Sequence, residues 1–176
     1  VLAQIGRCEL DVGYYVDAAP AESSAFTAPS ERTIEDGKFQ LMPLIRYDYH
    51  VIAPAEWRDK VMGKDWADLA GLPWLATPHH SAHRRLLDDV FRPMGTLPKR
   101  VAFTDQEDAM IDFVESGICL CLARDCILER AASKGKFVIA DKLTLTCELS
   151  FACLKARRHE PLITNAFAAM RAVWDL

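Results

Sequence analysis

An α/β fold is predicted for this 176-residue chain by three observations. Apolar runs at 74–76, 99–104 and 118–123 alternate with apolar stripes of helical period, the pattern of strand–helix units around a largely parallel sheet. The run "ICLCLA" (118–123) is apolar throughout, as expected of a strand covered on both faces. Residues 142–153 alternate: Leu143, Leu145, Cys147, Leu149, Phe151 and Cys153 on one face, Lys142, Thr144, Thr146, Glu148 and Ser150 on the other. That is one long strand of period two, long enough to run from one lobe into another.

The elements follow in order. Leu2 and Ile5 precede "GRCELD", so Gly6 reads as the glycine that ends a helix whose start lies upstream. "DVGYYV" (11–16) is a short strand, and 17–38, rich in Ala, Ser, Pro and Glu, is a long loop. "FQLMPLIRYDYHVIAP" (39–54) is strand-like, with Pro43 at an edge or bend. A helical turn at "WADLA" and a Gly-Leu-Pro break lead to the strand at 74–76. The next helix carries Leu86, Leu87, Val90, Phe91 and Met94 on one stripe until Gly95 stops it. After the strand 99–104, Thr104-Asp-Gln-Glu107 matches a capping box, and the helix it opens ends at Gly117. A helix to about Ser133 and "KGKFVIA" follow 118–123. The last helix starts near Pro161 and buries Leu162, Ile163, Ala166, Phe167, Met170 and Trp174.

Composition narrows the function. Hydrophobic residues make up 51% and charged residues 26%, so the chain reads as an ordinary globular one. No stretch approaches a membrane span, and no secretory signal is visible. The formal charge is −4, and the one dense basic cluster, Lys155 to His159, reads as a solvated strand end. Both argue against a duplex-binding surface on this chain. None of the six cysteines forms a C-x-x-C pair, which fits a reducing cytoplasm. There is no P-loop, G-x-G-x-x-G or G-x-S-x-G. Cys119 and Cys121 sit in an apolar run that raises a thiol pKa. The reading is therefore not an enzyme, with no cofactor.

Five segments in order resemble the LysR-type transcriptional regulators, in their C-terminal effector-binding domain. "L-x-x-I-G-R-C-E-L-D-V-G-Y" resembles "L-x-x-G-x-L-D-x-(A/G)-I", with one residue more between Leu2 and Asp11. "L-M-P-L-I-R-Y-D-Y-H-V-I-A-P" resembles the lobe-crossing strand, and "W-A-D-L-A-G-L-P-W-L" the stretch "l-x-D-L-a-g-x-p-w-i". "R-R-L-L-D-D-V-F-R-P-M-G-T-L-P" resembles the helix followed by "f-x-x-x-G-x-x-P", and "F-V-E-S-G-I-C-L-C-L-A" resembles "l-V-x-a-G-x-G-i-x-l-l-P". Cys119 stands where that pattern has Gly and Ala123 where it has Pro. The resemblance implies two Rossmann-like lobes joined by two crossing strands, in the manner of type 2 periplasmic binding proteins. Lobe I would be 1–54 with 149–176, N-terminally truncated, and lobe II 55–148. It further implies a cytoplasmic regulator, dimeric or tetrameric in full length, that meets DNA only through a winged helix-turn-helix absent here.

In α/β folds ligands sit at the carboxyl ends of strands against helix N-termini. Two such junctions stand out. "LATPHHSAHRR" (75–85) holds His79, His80 and His83, with Thr77 or Ser81 as helix cap. One reading is a polar loop and exposed first turn; the other, which the resemblance favours, is a wall of an effector pocket for a carboxylate or similar anion. The histidines lack a nearby Glu or Cys and an H-E-x-x-H pattern, so no metal site is expected. Arg84 and Arg85 are expected to pair with Asp88 and Asp89. At the second junction Thr104 and Asp105 serve the capping box, the ligand, or both. Tyr14 and Tyr15 follow each other on one strand, so one should face a ligand; Phe151 on the crossing strand is a further lining residue or a core residue. The expected ligand-binding set is thus Tyr14, Tyr15, Thr77, His79, His80, Ser81, His83, Thr104, Asp105 and Phe151. The competing functions are a transport solute-binding protein and a small α/β enzyme.

Overall fold

The computed structural model describes residues 1–19, 31–131 and 136–175. They form two compact units, Val1–Arg46 with Cys147–Leu176, and Tyr47–Thr146. Two long strands, β3 (Phe39–Pro54) and β7 (Phe137–Leu154), each contribute to both.

The first unit holds α1 (Leu2–Gly6), β1 (Val12–Ala18), β2 (Arg32–Ile34), the first half of β3, the last part of β7 and α7 (Pro161–Val173). The strand order is β1-β7-β3-β2. The largely parallel sheet expected from the sequence does not form here: β1 pairs antiparallel with β7, from Val12↔Cys153 to Ala18↔Cys147, and β2 antiparallel with β3. The turn between β2 and β3, Glu35 to Lys38, explains the second ladder, because a short hairpin joins only antiparallel strands. Its Asp36 and Gly37 sit at φ 53° and 83°, the left-handed region that Asp-Gly turns favour. The loop expected over 17–38 therefore gives way to a hairpin over 31–38, and its residues 20–30 lie outside the described residues.

Helix α1 covers one face of this sheet, with Leu2 and Ile5 against Phe39, Leu41 and Ala152. Helix α7 covers the other, with Ile163 and Phe167 against Met42, Leu44, Phe151 and Cys153. Two covered faces account for a departure in β7. The alternation from 142 holds to Cys147, and then Glu148 and Ser150 are buried too. The carboxylate of Glu148 is held by Arg32 Nη2 at 2.6 Å and Arg46 Nε at 3.2 Å. Gly6 does not cap α1 from outside; it is the last helical residue, and a Cβ on it would meet Lys38 Nζ at 3.2 Å. Pro43 lies beyond Leu41, where the β2 ladder ends, so its missing N–H costs that ladder nothing. In α7, Leu162 is exposed rather than buried; the sheet takes the stripe through Ile163 and Phe167, and Leu162 falls about 100° off it.

The second unit holds the rest of β3 and β7 with α2 (Arg58–Val61), α3 (Trp66–Ala70), β4 (Pro73–Ala76), α4 (Ala82–Phe91), β5 (Lys99–Phe103), α5 (Glu107–Glu115), β6 (Cys121–Arg124) and α6 (Asp125–Ala131). Here β4 and β5 are parallel and Trp74 bridges Leu120 in parallel, while β6 runs antiparallel to β3 from Tyr49↔Arg124 to Ile52↔Cys121. Cys119 to Ala123 are all buried, as an apolar run covered on both faces requires. Trp74 donates to the Leu69 carbonyl at 2.8 Å and packs on Trp66 and Phe91. Gly95, at φ 67°, closes the turn after α4; Met94 there is exposed rather than on the core stripe. Of the segments expected at 134–140 and 142–153, the part from Phe137 onward is one strand, β7, and residues 134 and 135 lie outside the described residues. Asp141 and Lys142 of β7 clamp Gly63, Asp141 Oδ1 accepting from the amide at 2.7 Å and Lys142 Nζ donating to the carbonyl at 2.9 Å.

Candidate functional site

Three strands of the second unit, β4, β5 and β6, end where α4, α5 and α6 begin. At the first junction Ser81 is the N-cap of α4: its hydroxyl accepts from the Arg84 amide at 3.1 Å. The Thr77 hydroxyl, almost fully buried, lies 2.6 Å from the Ser81 hydroxyl. Of the two caps the sequence allowed, Ser81 is the one used, and Thr77 holds its oxygen in place. Capping by Ser81 leaves the amides of Ala82 and His83, in the first turn of a ten-residue helix, without an intrahelical acceptor. Arg84 pairs with Asp88 at 2.7 Å, as expected from i,i+4 spacing.

The three histidines part company. His79 and His80 are exposed in the turn before the helix. His83 turns inward, its ring 4.6 Å from that of Tyr49 and its Nε2 3.3 Å from the Leu122 carbonyl. A carbonyl only accepts, so Nε2 carries the hydrogen and Nδ1 of the neutral ring is an acceptor. Burial pushes the His83 pKa below its usual value, opposed by the Leu122 carbonyl and by Glu107. Among the described residues no group of three or more His, Cys, Asp and Glu is placed to hold a metal ion.

At the second junction the expected capping box is absent. The N-cap of α5 is Gln106 and makes no side-chain cap bond. Thr104 Oγ1 accepts from the Gln106 amide at 3.2 Å, and exposed Asp105 lies near the Gln106 amide group. Glu107 does not reach back to Thr104; it is paired instead with Arg124, at the end of β6, which donates Nη2 to Glu107 Oε2 at 2.7 Å. Glu107 in turn holds the guanidinium charged, raising its pKa further.

Glu107, Arg124 and His83 are polar walls of a cavity of about 10 Å³, lined elsewhere by Met110, Ile111 and Ile127 among others. That is room for about one water-sized group. Arg124 Nε is buried without a hydrogen-bond partner among the described residues. The sequence pointed to His83 but not to Arg124, whose position at the end of β6 was the available signal. Glu107 was singled out only for capping.

Tyr14, Tyr15 and Phe151 belong to the first unit. Phe151 is buried against α7, its ring 5.0 Å from Phe167. Tyr14, half exposed, lies edge-on to Phe151 at 5.6 Å, its hydroxyl near Met170 Sδ. Tyr15 is half-buried and donates its hydroxyl to Asp17 at 2.9 Å. The two tyrosines thus share β1 but point to opposite faces. The cysteines are thiols outside any disulfide, and burial pushes the Cys119 thiol up to about 11, so it is protonated near neutrality.

A family model described as LysR substrate binding domain matches residues 24–175. The chain belongs to the LysR substrate-binding-domain family. No curated protein is similar enough in sequence to match it. Among solved structures this LysR domain is similar to the regulatory domain of CcmR from Synechocystis PCC6803 in complex with 2-PG, at TM-score 0.64 and 14% identity, over 98% of this chain and 77% of that one. It is similar to the regulatory domain of the LysR family regulator MetR from N. meningitidis, at TM-score 0.68 and 16% identity, over 96% and 72%. It is also similar to full-length CbnR complexed with its target DNA, at TM-score 0.57 and 12% identity, over 96% and 54%. These likenesses show the fold: the two α/β units with β3 and β7 crossing between them are the type 2 periplasmic-binding-protein arrangement expected of the family. Among the described residues no helix is long and apolar enough to cross a membrane.

Proposed function

We propose that this LysR domain senses a small anionic effector at the carboxyl end of β4, held by the first turn of α4. The observation that carries this reading is the Ser81 cap braced by Thr77, which presents free amides and the positive end of a helix dipole. The exposed His79 and His80 add donors on the same turn. Thr104 and Asp105 stand at the next junction, where Thr104 donates its amide to the Ala76 carbonyl at 3.1 Å. A ligand-bound relative, the CcmR domain with 2-PG, supports a small-molecule role. CbnR on its target DNA supports a regulator whose DNA-binding part lies outside the residues of this chain. The domain works in the cytoplasm, as part of a homo-oligomer, and binds rather than transforms its ligand. Binding changes regulation only through unequal affinity for two arrangements of the protein.

The test is a thermal-shift titration of the full-length protein with aromatic and aliphatic carboxylates, for wild type, Ser81→Ala and His80→Ala. A ligand at a hundred times its Kd stabilises wild type by about 2.7 kcal/mol. Both substitutions are expected to weaken it roughly tenfold, the equivalent of one lost hydrogen bond to a charged group. A stabilising carboxylate whose affinity neither substitution changes would place the site elsewhere.

A further inference from the structure

We infer that Arg124 is an anion anchor whose place Glu107 holds in the free domain, so that an incoming carboxylate or phosphate binds by displacing Glu107. The inference rests on the reading of an anionic ligand above and adds the residue that would take its charge. Three observations lead to it.

Arg124 closes β6 at its carboxyl end, beside the first residue of α6 and opposite His83 of α4. Its guanidinium is half used. Nη2 donates to Glu107, while Nε is buried with no acceptor among the described residues, and the residue lines the cavity. A buried cationic N–H without a partner is costly, and an oxyanion accepts from Nε and an Nη together in the fork geometry of arginine. The cavity of about 10 Å³ takes one oxygen-sized group, which is one end of such an oxyanion and not a whole effector.

Glu107 can leave. It lies on the first turn of α5, and its side chain and that of Arg124 are each 37% exposed. An ion pair this exposed is worth little, so the carboxylate can swing to solvent while the helix stays. An anion on the same guanidinium also repels the Glu107 carboxylate, which favours its departure. Neither neutral His83 nor the apolar side chains around the cavity supply a second charge. Glu107 therefore acts as a built-in competitor. It keeps Arg124 neutralised in the empty domain and sets a threshold that weak or dilute anions do not pass.

The experiment uses sodium acetate and inorganic phosphate as probes, with full-length wild type, Glu107→Gln, Arg124→Gln and the double variant. Calorimetry and thermal shift give the affinities at fixed ionic strength set by chloride. Glu107→Gln is expected to bind both probes at least about tenfold more tightly than wild type, the effect of removing a like charge from a partly buried site. Arg124→Gln and the double variant are expected to lose that binding. Equal affinities in wild type and Glu107→Gln, or a gain that persists in the double variant, would overturn the inference. Should Glu107→Gln not fold, the 15N shift of the Arg124 Nε in wild type during an acetate titration decides, since a silent Nε is incompatible with the proposal. The probes need no effector. Tight acetate binding in Glu107→Gln without a stabilising carboxylate from the wider panel would leave Arg124 as an anchor while removing the α4 reading, and the converse result would do the opposite.

Discussion

His83 has its ring on Tyr49 and its Nε2 on the Leu122 carbonyl, a setting with little room for a second proton. Burial depresses its pKa below the ordinary 6.5. The unfolded chain, with the ordinary value, then binds more protons than the folded one between the two pKa values, so stability rises with pH across that window. The contribution is complete above about pH 6.5 and is lost as pH falls toward the folded value. Urea unfolding at pH 7.5 and 5.5 is expected to show a loss of stability in wild type on acidification, and a smaller loss in His83→Gln. Identical losses in the two proteins would mean that another group carries the acid sensitivity. At this scale the sequence showed three histidines in one turn but not their directions. Side chains at 79, 80 and 83 diverge because the helix begins only at Ala82. The i,i+3 and i,i+4 spacings apply within a helix and not across its cap.

Strand β7 shows what an element's surroundings add to its pattern. Period two was legible from 142 onward, yet Glu148 and Ser150, read as outward, are buried: Arg32, Arg46 and the Ser150 hydroxyl surround the carboxylate, and Ala152 further along the strand packs with α1. The buried carboxylate is tolerable because Arg32 and Arg46 both donate to it. Removing it leaves two partly buried arginines facing each other. Glu148→Ala is expected to cost about 3 kcal/mol, the low end for breaking a buried pair, since both arginines keep some contact with solvent. Chemical denaturation of the purified domain checks this, and a cost within about 0.5 kcal/mol, as for an ordinary surface site, would show the cluster to be idle. The β2–β3 hairpin had a signal of its own, the Asp36-Gly37 pair, hidden within a stretch whose Pro, Ser and Ala content reads as loop. The capping box failed for a different reason. Its match, Thr104 to Glu107, is local, and Arg124 competes for Glu107 from a distant strand.

The two units differ in how the chain builds them. The second, Tyr47–Thr146, is one continuous segment; the first joins Val1–Arg46 to Cys147–Leu176. Bringing distant segments together costs loop-closure entropy before any contact repays it. A fragment of residues 47–146 is therefore expected to keep a cooperative thermal transition, and residues 1–46 alone are expected to have none. Circular dichroism melts of the two fragments test this. A non-cooperative 47–146 fragment would show that the second unit depends on the first.

By itself the sequence determined the α/β class, the order of its elements and the LysR resemblance. It also made the β4–α4 junction the expected place for a ligand, which the titration above tests. Those features rest on local periodicity, caps and turns, which neighbouring residues settle among themselves. Tertiary structure alone decided which histidine turns inward, that Glu148 is buried between two arginines, and that Glu107 pairs with Arg124 beside a small cavity. Each of those depends on residues far apart in the chain meeting in one place, where burial and unpaired charge select partners that no local spacing encodes.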